Sequence, residues 1–150
     1  MATITAEQIE QIRGEFEPVA GSRLDVLLTR CEAALDKLQT LETKAALING
    51  RGARADGFMN RLLNHQIDLS QVDDPLTVVQ NAQSTQSAVS AVGATMRTQI
   101  QQARDTYRNE SSPVNGIAKL LWEARRDQEK DPGRLPFLLA KYCGHETPPN

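Results

Sequence analysis

The sequence predicts an all-α protein, a helical bundle of two long antiparallel helices with shorter helices packed across them. Three observations carry that reading. Apolar residues recur at steps of three and four through most of the chain. Helix start and stop signals bracket those runs, with Ser, Thr or Asp before them and Gly or Pro after them. Strand signals are nearly absent, because the β-branched cluster Thr77-Val78-Val79 lies inside a capped helical pattern.

The first element is a short helix over residues 5–17. Thr5 and Gln8 are spaced as a capping box, and Ile4 and Ile9 as the hydrophobic staple across it. Ile9, Ile12 and Phe16 form its apolar stripe, and Pro18 ends it near Glu17. Ser22 with Asp25 then opens a long helix over 22–49. Its seam is Leu24, Leu28, Cys31, Leu35, Leu38, Leu41, Ala45 and Ile48, coiled-coil-like apart from one irregular step at Leu38–Leu41. Leu27, Ala34 and Leu47 widen the stripe. Asn49-Gly50 reads as its stop, and Gly50 to Gly57 as a flexible basic connector. A short helix carrying Phe58, Leu62 and Leu63 follows.

Asp73-Asp74-Pro75 is a strong start signal for the second long helix, over 75–108. Its apolar face runs through Leu76, Val79, Ala82, Gln86, Val89, Val92, Met96, Ile100, Ala103 and Tyr107. Together these two helices form a hairpin over 22–108. Asn109 to Gly116 reads as a loop, and further helices are expected within 113–144. One holds Ile117, Leu120, Leu121 and Ala124, and the other opens at Pro136 and stops at Gly144. A polar tail, 145–150, completes a single helical domain over 1–150.

Length and composition bound the function. A chain of 150 residues can bury about two-thirds of its unfolded surface, so a core is affordable without staples. Seventeen basic against 19 acidic residues give a net charge of −2, which excludes a strongly basic nucleic-acid binder. The opening MATITAEQIEQ lacks the basic and apolar regions of an export signal, and no apolar run of 18 residues exists. The expected location is therefore the cytoplasm or an intracellular assembly, a virion included.

No catalytic constellation emerges. Gly50-Arg-Gly-Ala-Arg-Ala55 matches a dinucleotide fingerprint in letters only, since a helix rather than a strand precedes it. Cys31, His65, Cys143 and His145 lack the paired spacing of a zinc site. Asp73 and Asp74 are explained as cap and dipole partners. The sequon at Asn109 is idle without export. Arg97, Arg104 and Arg108 read as a solvated face. The expectation is a non-enzyme with no metal, no cofactor and no small-molecule substrate.

Two segments suggest partners. From Leu76 to Met96 there is no charged residue, and ten of those 21 residues are Ser, Thr, Asn or Gln. That polarity excludes a membrane helix. An exposed helix ordinarily carries Glu and Lys outside, so Gln83, Ser84, Ser87, Ala88, Ser90, Ala91 and Ala94 are the candidate assembly interface. Small neutral side chains let another backbone approach without desolvating charge. Arg51, Arg54 and Arg61 are a candidate polyanion or partner contact. The expected function is a structural or interaction subunit of a multi-copy assembly. Within that class a phage or virion component, such as a head–tail connector, is the specific expectation. The alternative is a regulatory or nucleic-acid-associated helical module.

Overall fold

The computed structural model describes residues 3–64, 66–67, 69–71 and 73–146. Among the described residues four helices follow one another: α1 (Ala6–Phe16), α2 (Arg23–Leu63), α3 (Pro75–Arg126) and α4 (Arg134–Cys143), with a 3₁₀ turn at Leu69–Gln71 between α2 and α3. No strand occurs among the described residues. The fold is all-α. His65 and residues 147–150 lie outside the described residues.

Both long helices are longer than the sequence predicts. Helix α2 does not stop at Asn49; it runs to Leu63, so the expected Gly/Arg connector is helical. Each interior Gly costs a helix about 1 kcal/mol relative to Ala. The seam nevertheless continues from Ile48 to Gly52, Ala55, Met59 and Leu62, and Gly52 and Ala55 are buried there. A Cβ on Gly52 would stand 2.9 Å from Val89 Cγ1, so this glycine marks a close approach of α2 to α3. Packing outweighs propensity.

Helix α3 likewise continues past the expected loop at Asn109–Gly116 and through Pro113 to Arg126. Proline removes the amide that would bond the Asn109 carbonyl and costs about 3 kcal/mol inside a helix. On either side of it Tyr107, Ser111, Val114, Ile117, Ala118 and Leu121 are buried at helical spacing. Fully burying an aliphatic side chain contributes about 1.5–3 kcal/mol, so Val114, Ile117 and Leu121 together exceed that penalty. Residues 113–126 are thus the end of α3 rather than a separate helix.

The chain divides into two compact units, residues 1–38 with 103–150, and residues 39–102. The first holds a dense core. Ile4, Ile9, Ile12 and Phe16 from the N-terminal segment, Leu24, Leu28 and Cys31 from α2, Val114 and Leu121 from α3, and Leu138 and Cys143 from α4 are all buried. The capping box of α1 forms as read, with the Gln8 amide N–H donating to Thr5 Oγ1 and the Thr5 N–H to Gln8 Oε1. The Asp25 N–H donates to Ser22 Oγ at 3.4 Å, the expected cap of α2. Arg13 bridges Asp25 at 2.9 Å and Glu32 at 2.6 Å, tying α1 to the outside of α2. A buried polar thread also crosses this unit. The Tyr107 hydroxyl donates to the Ile4 carbonyl, and the Ser111 hydroxyl donates to the Tyr107 carbonyl and meets Cys31 Sγ at 3.5 Å. The Gly144 left-handed C-cap packs on Val19, and His145 Nε2 lies 2.8 Å from the Glu17 carbonyl, which anchors the start of the polar tail.

The second unit is an antiparallel pair of helices, residues 39–63 of α2 and 75–102 of α3. Gly52 opposes Val89 and Asp56 bonds Gln86, so numbers rise on one helix as they fall on the other.

Candidate assembly surface

Helix α3 enters this hairpin under a local cap. Asp74, held at a left-handed φ of 48°, accepts from the Thr77 hydroxyl at 2.7 Å. From there Val79, Ala82, Gln86, Val89, Gly93, Met96 and Ile100 alternate steps of three and four and are all half-buried. This seam corrects the predicted face at two positions. Leu76 is 67% exposed and Val92 is 42% exposed, while Gly93 takes the place assigned to Val92. A valine one step from the true seam looks like a better core residue than a glycine on it.

The opposing seam of α2 is Leu41, Ala45, Ile48, Gly52 and Ala55. Here the two units differ sharply. Among the described residues of 39–102, Ala55 is the one buried apolar side chain. Leu41, Ile48, Val79, Val89, Met96 and Ile100 are half-buried rather than fully covered. Leu47 and Leu63 are more open still, at 65% and 71% exposed. A cleft of about 170 Å³ even opens in the seam, lined by Ala45, Ile48, Asn49, Gly93, Met96, Arg97 and Ile100.

All seven residues predicted for the interface, Gln83, Ser84, Ser87, Ala88, Ser90, Ala91 and Ala94, are exposed on α3. Gln80, Asn81, Gln83, Ser84 and Ser87 border one shallow, open depression on that helix. Arg51, Arg54 and Arg61 are exposed on α2, and the first two share a groove with Ala55, Asn81, Ala82 and Thr85. The structure therefore gathers the interface residues on α3 and the arginines on α2, in one hairpin.

The other candidate groups resolve into local roles. Cys31 and Cys143 are free and buried; burial pushes the Cys31 thiol up and raises that of Cys143 to about 11. Arg108 pairs with Asp105 at 4.0 Å, and Arg97 lines the seam cleft. No three His, Cys, Asp or Glu side chains among the described residues come together as metal ligands could. No described helix is long and apolar enough to cross a membrane.

Sequence reasoning missed the under-covered seam and Leu63 at the hairpin's end. Helical periodicity marks which residues share a stripe, but not how many neighbours cover it. Comparison with known protein families, curated proteins and solved structures finds no match.

Proposed function

We propose that this chain is a non-enzymatic structural subunit that associates with copies of itself through the 39–102 hairpin. The observation that carries the reading is how thin the hairpin's core is among the described residues, where Ala55 is the one buried apolar side chain. Two helices side by side cover one flank of each apolar stripe, and closing the stripe takes further helices, as in a four-helix bundle. The 1–38/103–150 unit has them. In the hairpin Leu41, Ile48, Val79, Val89, Met96 and Ile100 are half-buried rather than buried.

A second copy is the occupant that the surface chemistry favours. A two-fold contact brings one patch against itself, so a charged patch would meet its own charge. Between Leu76 and Met96 helix α3 has none. The small residues Ser87, Ser90, Ala91 and Ala94 leave room for close backbone approach, and Gln83 and Ser84 can hydrogen-bond across the contact. Pairing hairpins would bring the seam, Leu76 and the neutral face out of water together.

The test is the double variant Gln83→Glu and Ser90→Glu, read by sedimentation and circular dichroism beside the parent protein. In an assembly these carboxylates would be buried without partners, at a cost of several kcal/mol each. The expected result is a lower mass with the helix content kept. An oligomeric parent whose variant assembles normally removes this face from the interface, and an unfolded variant puts the face in the monomer's own core.

A further inference from the structure

Beyond self-association, we propose that the exposed cations of α2 from Lys44 to Arg61 are a contact for the phosphodiester backbone of a nucleic acid. The proposal does not rest on the assembly reading. It starts from four cations that form no ion pair among the described residues.

Lys44, Arg51, Arg54 and Arg61 are all exposed. Lys44 and Arg51 are seven residues apart, as are Arg54 and Arg61, so each pair shares a side of the helix two turns apart. The row extends about 25 Å at 1.5 Å per residue. No carboxylate stands three or four residues from any of the four. Glu42 and Asp56 are each two residues from a member of the row, a spacing that turns them to another face. Asp56 is moreover engaged by the Gln86 amide at 2.5 Å. Among the described residues no ion pair involves these four cations. The ion pairs Arg13–Asp25, Lys119–Glu123 and Arg125–Glu15 lie in the other unit.

The opposite bank suits the same ligand. Arg51 and Arg54 open on a groove of about 350 Å³ whose α3 side is Asn81, Ala82 and Thr85. That helix bears no negative charge before residue 105 to repel a phosphate. An amide such as that of Asn81 beside arginines is an ordinary phosphate contact, fixing position without reading bases, while the Thr85 hydroxyl donates to the Asn81 carbonyl at 2.9 Å. The groove is open along its length, which fits a continuous chain of charges better than an enclosed small anion. Four cations on a chain of net charge −2 imply weak, sequence-independent binding, with Kd on the order of 10⁻⁶–10⁻⁴ M.

Fluorescence anisotropy of the full chain with a labelled single-stranded oligonucleotide of about 20 nucleotides tests this. The expected result is binding at low salt, equal for unrelated base sequences. Its log–log salt slope should be near −3, from about 0.7 per phosphate over four contacts. Arg51→Gln with Arg54→Gln should weaken binding about tenfold and flatten the slope by about 1.4, while Arg51→Lys with Arg54→Lys retains both. The single variants Arg51→Gln and Arg54→Gln provide the reading if the pair fails to fold. No binding at low salt overturns the proposal, as does binding indifferent to these substitutions. Capture of polyglutamate but not of the oligonucleotide overturns it too, and would identify an acidic protein segment as the ligand.

Discussion

Replacing Gly52 by alanine sets two opposing effects against each other at a close approach of α2 and α3. Alanine in a helix interior is favoured over glycine by about 1 kcal/mol, because glycine loses more backbone freedom on folding. The added methyl, however, would lie 2.9 Å from Val89 Cγ1 and 3.5 Å from Val89 Cβ and Cγ2. Valine in a helix has one strongly preferred rotamer and cannot swing aside cheaply. Overpacking of that kind costs about 1–3 kcal/mol. The net expectation for Gly52→Ala is a loss of about 0–2 kcal/mol. Gly57→Ala is the internal control: it lies in the same helix, and a Cβ there meets nothing within 4 Å. It should gain about 0.5–1 kcal/mol. Urea unfolding followed by circular dichroism separates the two, and Val89→Ala in the Gly52→Ala background should recover most of the loss. If Gly52→Ala stabilises as much as Gly57→Ala, the helices do not meet at residue 52.

Tyr107→Phe leaves the buried Ile4 carbonyl without its donor, so a loss of about 1–3 kcal/mol is expected, with faster proteolysis near the N-terminus; unchanged stability and cleavage would contradict the buried thread. Pro113→Ala restores an amide to the Asn109 carbonyl and should stabilise by up to about 3 kcal/mol in thermal unfolding, whereas destabilisation would mean the ring itself packs usefully. With the Cys143 thiol at about 11 against 9.0 for an ordinary thiol, the folded form holds its proton more tightly. Its stabilising contribution is then complete below pH 9 and lost as pH rises toward 11. Native labelling by iodoacetamide at pH 8 should accordingly be slow at both cysteines and become fast in urea. The carboxyl of Asp25 is held below its usual range by the Gly21 N–H and by Arg13. Its contribution is present above about pH 3.8 and lost on acidification, so Asp25→Asn should show a shallower acid-unfolding limb.

The elements that were legible in the sequence are those specified by neighbours in the chain. The Thr5–Gln8 box, the Ser22 and Asp74 caps and the Gly144 stop all involve groups within a few residues of one another. What misled was punctuation that tertiary packing overrides. Asn49-Gly50 and Pro113 carry real local penalties, but the seams through Gly52 and Ala55 and through Val114, Ile117 and Leu121 continue across them. Glycine itself caused the largest error of interpretation. At 52 it marks helix contact rather than a flexible hinge, and at 93 it occupies the seam position that periodicity assigns to Val92. Leu35, a natural choice for the core, is half-buried, so Leu35→Ala should cost less than the 2–5 kcal/mol expected at the fully buried Leu28. The neutral face was legible because it rests on an absence of charge, which sequence states directly. The thin core behind it needed three dimensions.

Sedimentation equilibrium of the intact protein tests the central claim most directly. An under-covered hairpin that closes against its own copies predicts a mass that is a whole-number multiple of 16.5 kDa and falls on dilution. A species of 16.5 kDa that persists at the highest attainable concentration would contradict it.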